Sequence, residues 1–265
     1  MLPGWTHPRP TRKNYDTFAA KLCAGLSPLA EKGVSLILHG SYINGTYTPG
    51  RSDIDGLLIF PDDFVIDRTN LDLATTALAD AMTDNAVPFQ VVIADIASLL
   101  DGRFTGYNPT FNEYFRKEGR VMVGPDYRAT FSFSLSGKSG QNEASHSLRK
   151  IRQGMLFSDY DSQTDYEQFL KRFCKALDAT ATLTKSVFLM TDSRVRVGKF
   201  SLVDELHETF PELDTTPWEM VKDLYTNPEK LDRLFARPQD TKTVWHDARM
   251  FSESLVKAYC GKHPR

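Results

Sequence analysis

The sequence has 265 residues, 41% of them hydrophobic and 25% charged, which is enough chain for one large or two modest domains with a sizeable core. Its 32 basic and 34 acidic residues give a formal charge of -2, so no overall excess of positive charge is available to hold a long nucleic acid by its phosphates. No apolar run approaches the ~20 residues of a membrane span, and the three cysteines lack zinc or disulfide spacing, so we expect a cytoplasmic protein with reduced thiols.

The first half of the chain alternates helical and strand patterns. Helices are predicted by a 3.6-residue apolar period and strands by short β-branched runs, and Asp95 is placed to cap the last short helix. In chain order these are a helix, two strands, a helix, a third strand and a short helix, at residues 15–31, 34–38, 53–60, 71–83, 89–94 and 96–100. This alternation favours an α/β layer structure with one sheet.

Strand patterns largely vanish after a Ser/Gly-rich stretch that begins at Ser132. Six helical segments are predicted there, at residues 144–157, 166–191, 202–209, 217–225, 228–236 and 241–259. We therefore predict an α+β protein with an N-terminal α/β domain over residues 1–130 that contains a small mixed sheet, a linker over 131–141, and an all-α helical bundle over 142–265.

A loop with the sequence HGSYINGTYTPGRSDID spans residues 39–55, directly after the first predicted strand. A Gly-Ser pair in this place favours a sharp turn into a short helix, in which Gly40 lets a ligand approach the backbone. Freed N–H groups and the Ser41 hydroxyl can then bind phosphate oxygens. Ser52 is placed to brace the loop, and Arg51 can face either a triphosphate or solvent. The stretch predicts an anion site with these four residues as candidate nucleotide contacts.

Asp53 and Asp55 lie two apart on the second predicted strand, so both carboxylates project from one face while Ile54 points into the core. Two carboxylates about 4 Å apart repel by roughly 4 kcal/mol at an effective dielectric near 20, and a divalent cation offsets that repulsion. Mg²⁺ takes one or two carboxylates and completes its shell with water and phosphates, which ATP or another nucleoside triphosphate would supply. The carboxylates and the anion site together predict phosphoryl or nucleotidyl transfer assisted by one or two metal ions.

The succession of a strand, Gly40-Ser41, an eleven-residue gap and Asp53-Ile54-Asp55 resembles the signature of the DNA polymerase β-like nucleotidyltransferase superfamily. With a helical second half, it is similar to the antibiotic nucleotidyltransferases that adenylylate aminoglycosides or lincosamides. The resemblance implies that Gly40 and Ser41 hold the triphosphate, that Asp53 and Asp55 bind Mg²⁺, and that the protein confers antibiotic resistance.

The sequence departs from this family at one position. Many members carry a third carboxylate on the next strand, in a pattern like Leu-Glu-Val, where this chain has Phe89-Gln90-Val91. The Gln90 amide cannot accept a proton near neutral pH and is a poorer Mg²⁺ ligand than a carboxylate. Asp95 is no substitute, because it lies an odd number of residues from Gln90 and so faces the other side of the strand.

Glu143, at the start of the second half, is the candidate for the missing base, since kanamycin nucleotidyltransferases are similar in drawing a glutamate and a lysine from their helical half. Helix spacing would bring Glu143 near Ser147 and Lys150, so that a base and a phosphate-binding cation line one face. The competing interpretation is that Glu143 stabilises a helix N-terminus and that Lys150 belongs to a solvated basic face. This competing interpretation is favoured, because acidic residues are common in the first turn of a helix.

The predicted function is Mg²⁺-dependent transfer of a nucleoside monophosphate, such as AMP, to a hydroxyl of a small-molecule acceptor. An acidic run that begins at Asp159 is a candidate lining for a cationic drug, or else ordinary surface. The alternatives are transfer to a protein or tRNA, as in toxin or antitoxin nucleotidyltransferases, and a nucleotide-binding module in which Gln90 marks lost catalysis. The sequence is compatible with a monomer and with a homodimer that completes the site.

Overall fold

The structure is a computed structural model that describes residues 9–83, 85–101, 115–130, 137–196 and 198–264, with only the backbone of residues 137–139. The chain falls into two compact units that divide between residues 130 and 137. The first unit combines helices with a sheet and the second is helical, which confirms the α+β fold class. The predicted domain limits stay a prediction, because residues 1–8 and most of the predicted linker lie outside the described residues.

The described part of the first unit contains a four-stranded sheet. Its strand order is β3-β2-β1-β4, with β1 antiparallel to β2 and β4, and with β2 parallel to β3, so the sheet is mixed as predicted. The elements in chain order are α1 (Arg12–Ala30), β1 (Ser35–His39), α2 (Gly40–Ile43), β2 (Ile54–Phe60), α3 (Arg68–Met82), β3 (Phe89–Asp95), α4 (Ile96–Asp101) and β4 (Arg120–Val123). A helical turn at residues 115–118 precedes β4, and a 3-10 turn, Arg128–Thr130, follows it.

The sheet is covered on both faces, which is why β1 is buried along its whole length. Leu36 packs into the cluster that α1 and α3 form on one face, whereas Ile37 packs with Leu57 and Ile59 on the other. Since side chains alternate along a strand, Asp55 lies on the same face as Leu57 and Ile59. Asp55 therefore lies at the edge of the cluster that contains Ile37, Leu57 and Ile59.

Local signals located most elements of the first unit. The short helix after the Gly-Ser pair is confirmed as α2, and Asp95 caps α4 by accepting a hydrogen bond from Ser98 N at 2.8 Å. Helix α1 begins three residues earlier than predicted, where Thr11 N donates to Asn14 Oδ1 at 2.8 Å. Strand β4 was not predicted, because four residues are too few to show a period.

The second unit consists of helices packed around a shared core that contains Trp218 and Phe251. Its helices are α5 (Gly137–Thr164), α6 (Tyr166–Asp192), α7 (Val203–Thr209), α8 (Thr216–Thr226), α9 (Pro228–Phe235) and α10 (Pro238–Lys262). Asp165 separates the two longest helices and caps α6, since its side chain accepts a hydrogen bond from Gln168 N at 3.0 Å. Among the described helices, none has the length and apolar character to cross a membrane.

Residues 137–141 belong to the predicted linker but are helical in the structure. A Cβ at Gly140 would lie 2.9 Å from Met190 Cγ and 3.0 Å from Ser186 O, so α5 can approach α6 closely only where the side chain is missing. The glycine therefore serves helix packing, and α5 begins inside the range predicted as the linker.

Candidate active site

Three side chains lie in a row across the sheet, at the end of β1 where α2 begins. His39 of β1 is paired with Asp55 of β2, and Asp55 is in register with Gln90 of β3. Residues in register on neighbouring strands project from the same face, so Gln90 lies beside Asp55. Asp53 directly precedes β2, and both aspartates are half-buried. The structure thus places the amide of Gln90 where the superfamily resemblance implies a third carboxylate.

Gly40 connects the end of β1 to the start of α2. Its φ of +74° lies in the left-handed region that favours glycine. A Cβ at this position would lie 3.3 Å from Asp55 Cγ and closer still to Asp55 Oδ2. The carboxylate therefore packs against bare backbone, and the predicted phosphate-binding turn is in direct contact with one predicted metal ligand.

The other three candidate nucleotide contacts of the first unit occupy different environments. Ser41 is half-buried in α2, and Arg51 is half-buried just before the aspartates. Ser52 is only 3% exposed, and its Oγ accepts a hydrogen bond from Thr48 N at 2.9 Å. The hydroxyl of Ser52 braces the loop, as predicted, so its contribution to nucleotide binding would be indirect.

The side chains of this site could supply Mg²⁺ with two carboxylate ligands and one neutral amide oxygen. Asp53 and Asp55 offer hard oxygen ligands, whereas Gln90 offers only a neutral amide oxygen. Within the described ranges, no group of three or more His, Cys, Asp or Glu side chains could hold a metal ion. Mg²⁺ needs no such cage when phosphates complete its shell. The residues present therefore suit an ion that binds together with a nucleotide.

His39 is a neutral, packed histidine beside this site. It is 6% exposed, and its ring meets Phe115 edge to face at a centroid distance of 5.9 Å. Burial lowers the pKa of His39 from 6.5 to about 4. At neutral pH the imidazole therefore carries no charge and does not act as a cation toward phosphate.

Burial of neutral His39 should make the metal-free protein less stable in acid. The native pKa lies below the unfolded value of 6.5, so the unfolded chain binds the proton first. The free energy of unfolding therefore decreases as the pH falls from 6.5 towards 4. Between about pH 7.5 and about pH 5 the expected decrease is about 2 kcal/mol. Urea unfolding at both pH values measures this loss. His39→Gln should lose about 2 kcal/mol less than the wild type over that interval, and an equal loss in both would contradict the assignment.

The candidate base Glu143 and the candidate cation Lys150 both lie on α5 in the second unit. Ser186 Oγ of α6 donates a hydrogen bond to Glu143 Oε2 at 3.3 Å, which directs Glu143 towards the neighbouring helix. Ser147 is buried, whereas Lys150 is exposed, so the three residues do not share one exposed face. The catalytic role of Glu143 and the nucleotide contact of Lys150 stay predictions.

The acidic run from Asp159 is engaged within its own unit. Lys242 Nζ lies 2.9 Å from Asp159 Oδ1, and Arg172 Nε lies 3.1 Å from Asp161 Oδ2. Asp165 caps α6. These carboxylates neutralise nearby cations and complete a helix terminus, which accounts for them without a bound drug.

The partly buried cation Lys199 of the second unit was not predicted from the sequence. Lys199 Nζ donates to Tyr225 Oη at 2.7 Å and to Asp178 Oδ1 at 3.2 Å. Burial alone would lower the pKa of Lys199, but the nearby Asp178 and Tyr225 raise it above its usual range. No local signal could have identified the cluster, because its members come from three separate segments.

Comparison with known proteins finds one family match within the first unit. Residues 22–100 match the family model of the nucleotidyltransferase domain, and this range contains Gly40, Ser41, Asp53, Asp55 and Gln90. The match therefore covers every candidate site residue of the first unit.

Among solved structures, the spectinomycin adenyltransferase AAD(9) from Enterococcus faecialis, with ATP and spectinomycin, is similar to this chain with a TM-score of 0.52 and 12% identity. The alignment covers 91% of this chain and 99% of that one, and at this identity it shows a common fold. A toxin-antitoxin structure with AMP-PNP has a TM-score of 0.27 and 21% identity over 41% of this chain and 74% of that one, which is too low to bear on the fold. No curated protein matches the chain in sequence.

Proposed function

We propose that this chain, in which residues 22–100 match the nucleotidyltransferase domain, is a nucleotidyltransferase that moves AMP from ATP to a hydroxyl of a small-molecule acceptor in a Mg²⁺-dependent reaction. The observation that carries the proposal is the contact between Gly40 and Asp55. It brings the predicted phosphate-binding turn against Asp55, one of the two predicted metal ligands, so one bound triphosphate could meet both groups.

The proposal gives each candidate group of the first unit a part in the reaction. Gly40 and Ser41 would bind the triphosphate through the backbone of α2, and Asp53 and Asp55 would hold Mg²⁺ beside the same phosphates. When bound, Mg²⁺ would neutralise negative charge on the phosphates and on the departing pyrophosphate. The chain would hold the α-phosphorus in line, so that the acceptor oxygen forms a bond to it while the bond to pyrophosphate breaks and the hydroxyl gives up its proton to water.

The nucleotide and the acceptor are proposed by analogy with AAD(9), which binds ATP and spectinomycin. An aminoglycoside or a related antibiotic is therefore the first acceptor to test, although a fold does not fix a substrate. Because ATP and Mg²⁺ are abundant in the cytoplasm, the reaction would take place there. Pyrophosphate release measured over a panel of nucleotides and antibiotics tests both assignments, and release that is independent of every acceptor would contradict the proposal.

Gln90→Glu should raise turnover and change its pH dependence. The Gln90 side chain is exposed and lies beside Asp55, so a carboxylate there could accept the proton of the acceptor hydroxyl. A well-placed general base contributes about 10²-fold or more, and we expect a gain of at least about tenfold in kcat. The pH–rate profile of the variant should acquire a limb in which kcat falls as the carboxylate is protonated.

Gln90→Leu is the matched control for that variant, since it removes the amide without adding a charge. Turnover close to that of the wild type would show that the amide is a bystander. A loss of activity in both variants would show instead that the amide itself is required, and the predicted gain would then be wrong.

A nucleotide-binding module without transferase activity is the second candidate, and the amide of Gln90 at the third position favours it. Calorimetry would then show Mg²⁺-dependent ATP binding, while no acceptor would cause pyrophosphate release. Transfer to a protein or tRNA is distinguished by incubating the protein with labelled ATP and cell lysate, because the label would then appear in a macromolecule.

A further inference from the structure

The loop between α2 and β2, residues 44–53, sets the position of Asp53 relative to the phosphate-binding turn. It contains a tight turn in which Arg51 N and Ser52 N donate to Thr48 O at 3.1 and 2.9 Å. The carbonyl of Ser52 belongs to the same peptide group as the nitrogen of Asp53. Whatever holds the Ser52 carbonyl in place therefore also restrains the backbone nitrogen of Asp53, the proposed metal ligand.

The hydroxyl of Tyr15 makes that contact from α1. The Tyr15 side chain is fully buried, and its Oη donates to Ser52 O at 2.6 Å and accepts from Gly50 N at 3.1 Å. These two bonds connect the first helix to positions 35 and 37 residues later in the chain. Because both bonds are buried, water cannot readily replace the hydroxyl if it is removed.

The ring of Tyr15 contacts the other half of the site. It stacks with Tyr42 of α2 at a centroid distance of 6.2 Å and an interplanar angle of 26°. It also packs against Tyr47 of the loop at 4.8 Å. One side chain of α1 is thus in contact with α2 through its ring and with the residue before Asp53 through its hydroxyl.

We propose that Tyr15 is a positioning residue that holds Asp53 at the distance from α2 at which one Mg²⁺-bound triphosphate can engage both. The residue acts through Ser52 and Gly50 and requires no contact of its own with the substrate. The inference rests on the proposed function, because the distance matters only if a single ligand spans the two groups.

Tyr15→Phe removes the hydroxyl and keeps the ring, so it tests the two hydrogen bonds apart from the ring packing. With the ring packing retained, we expect the Mg²⁺ concentration for half-maximal pyrophosphate release to rise about tenfold, as fits the loss of buried hydrogen bonds, while kcat at saturating Mg²⁺ changes little. Without metal or nucleotide, the Gly50 amide should exchange its hydrogen about tenfold faster, because its acceptor is gone.

Tyr127→Phe is the matched control. Tyr127 Oη also donates to a backbone carbonyl, Gly33 O at 2.9 Å, but beyond the opposite end of β1. This variant removes one part-buried hydrogen bond, and it should keep the wild-type Mg²⁺ dependence and the wild-type exchange rate of Gly50.

Two results would overturn the inference: unchanged Mg²⁺ dependence and exchange in Tyr15→Phe, or an equal shift of the Mg²⁺ dependence in Tyr127→Phe. Failure of the proposed function has a different signature, since the wild type itself would then release no pyrophosphate and bind no ATP with Mg²⁺. Amide exchange separates the two cases, because it follows the Tyr15 contact without any ligand.

Discussion

Gly40→Ala is expected to abolish Mg²⁺-dependent ATP binding, whereas Gly45→Ala should retain it. Both glycines lie in the same loop region with nearly equal φ angles, +74° for Gly40 and +71° for Gly45. Each substitution therefore carries a similar backbone cost of about 1–2 kcal/mol. A Cβ at Gly40 would run into the Asp55 carboxylate, whereas a Cβ at Gly45 would meet nothing within 4 Å.

Calorimetric titration with ATP and Mg²⁺, together with urea unfolding, measures both effects. Unfolding should show that both variants are folded, with Gly40→Ala the less stable of the two because Asp55 has to move. Equal loss of binding in the two variants would show that backbone conformation alone matters. Normal binding by Gly40→Ala would show that the contact with Asp55 has no part in the site.

Asp53→Asn and Asp55→Asn should each lower the rate of pyrophosphate release by about 10³-fold or more. Metal stabilisation of a phosphoryl transition state amounts to several kcal/mol, and each 1.4 kcal/mol corresponds to a factor of ten. Both side chains are half-buried, and urea unfolding should show that each variant is folded without metal, so that the loss of rate is not a loss of the fold.

Asp63→Asn provides the matched control for these variants. Asp63 is an exposed aspartate just beyond the other end of β2, so its substitution changes the net charge equally without touching the site. We expect wild-type turnover in this variant. Turnover that survives unchanged in Asp53→Asn or Asp55→Asn would rule out the proposed mechanism.

The parts of the fold that were predicted correctly are those with a local signal. The Gly-Ser turn and its short helix follow from the conformational freedom of Gly40, and the cap at Asp95 follows from its side-chain acceptor. The DID spacing puts Asp55 in β2, but Asp53 directly precedes the strand, so the shared face of the two carboxylates stays a prediction. The register that sets Gln90 beside Asp55 agrees with the alignment to the superfamily pattern.

The parts that escaped prediction depend on distant segments. Strand β4 forms because β1 offers an edge to pair with, and α5 extends over the predicted linker because Gly140 packs on α6. The contact of Tyr15 with Ser52 joins residues 37 positions apart, and no pattern in either segment predicts it. Glu143 could be named only by analogy, because the sequence does not show that it contacts Ser186.

The position of the transferred phosphorus tests the central claim most directly. The protein is incubated with Mg²⁺, a spectinomycin-type or aminoglycoside acceptor, and ATP labelled at either the α- or the γ-phosphorus. Our account predicts that the α label appears in the acceptor and the γ label in pyrophosphate, and that both signals disappear in Asp55→Asn. Transfer of the γ label to the acceptor, or its release as inorganic phosphate, would contradict nucleotidyl transfer.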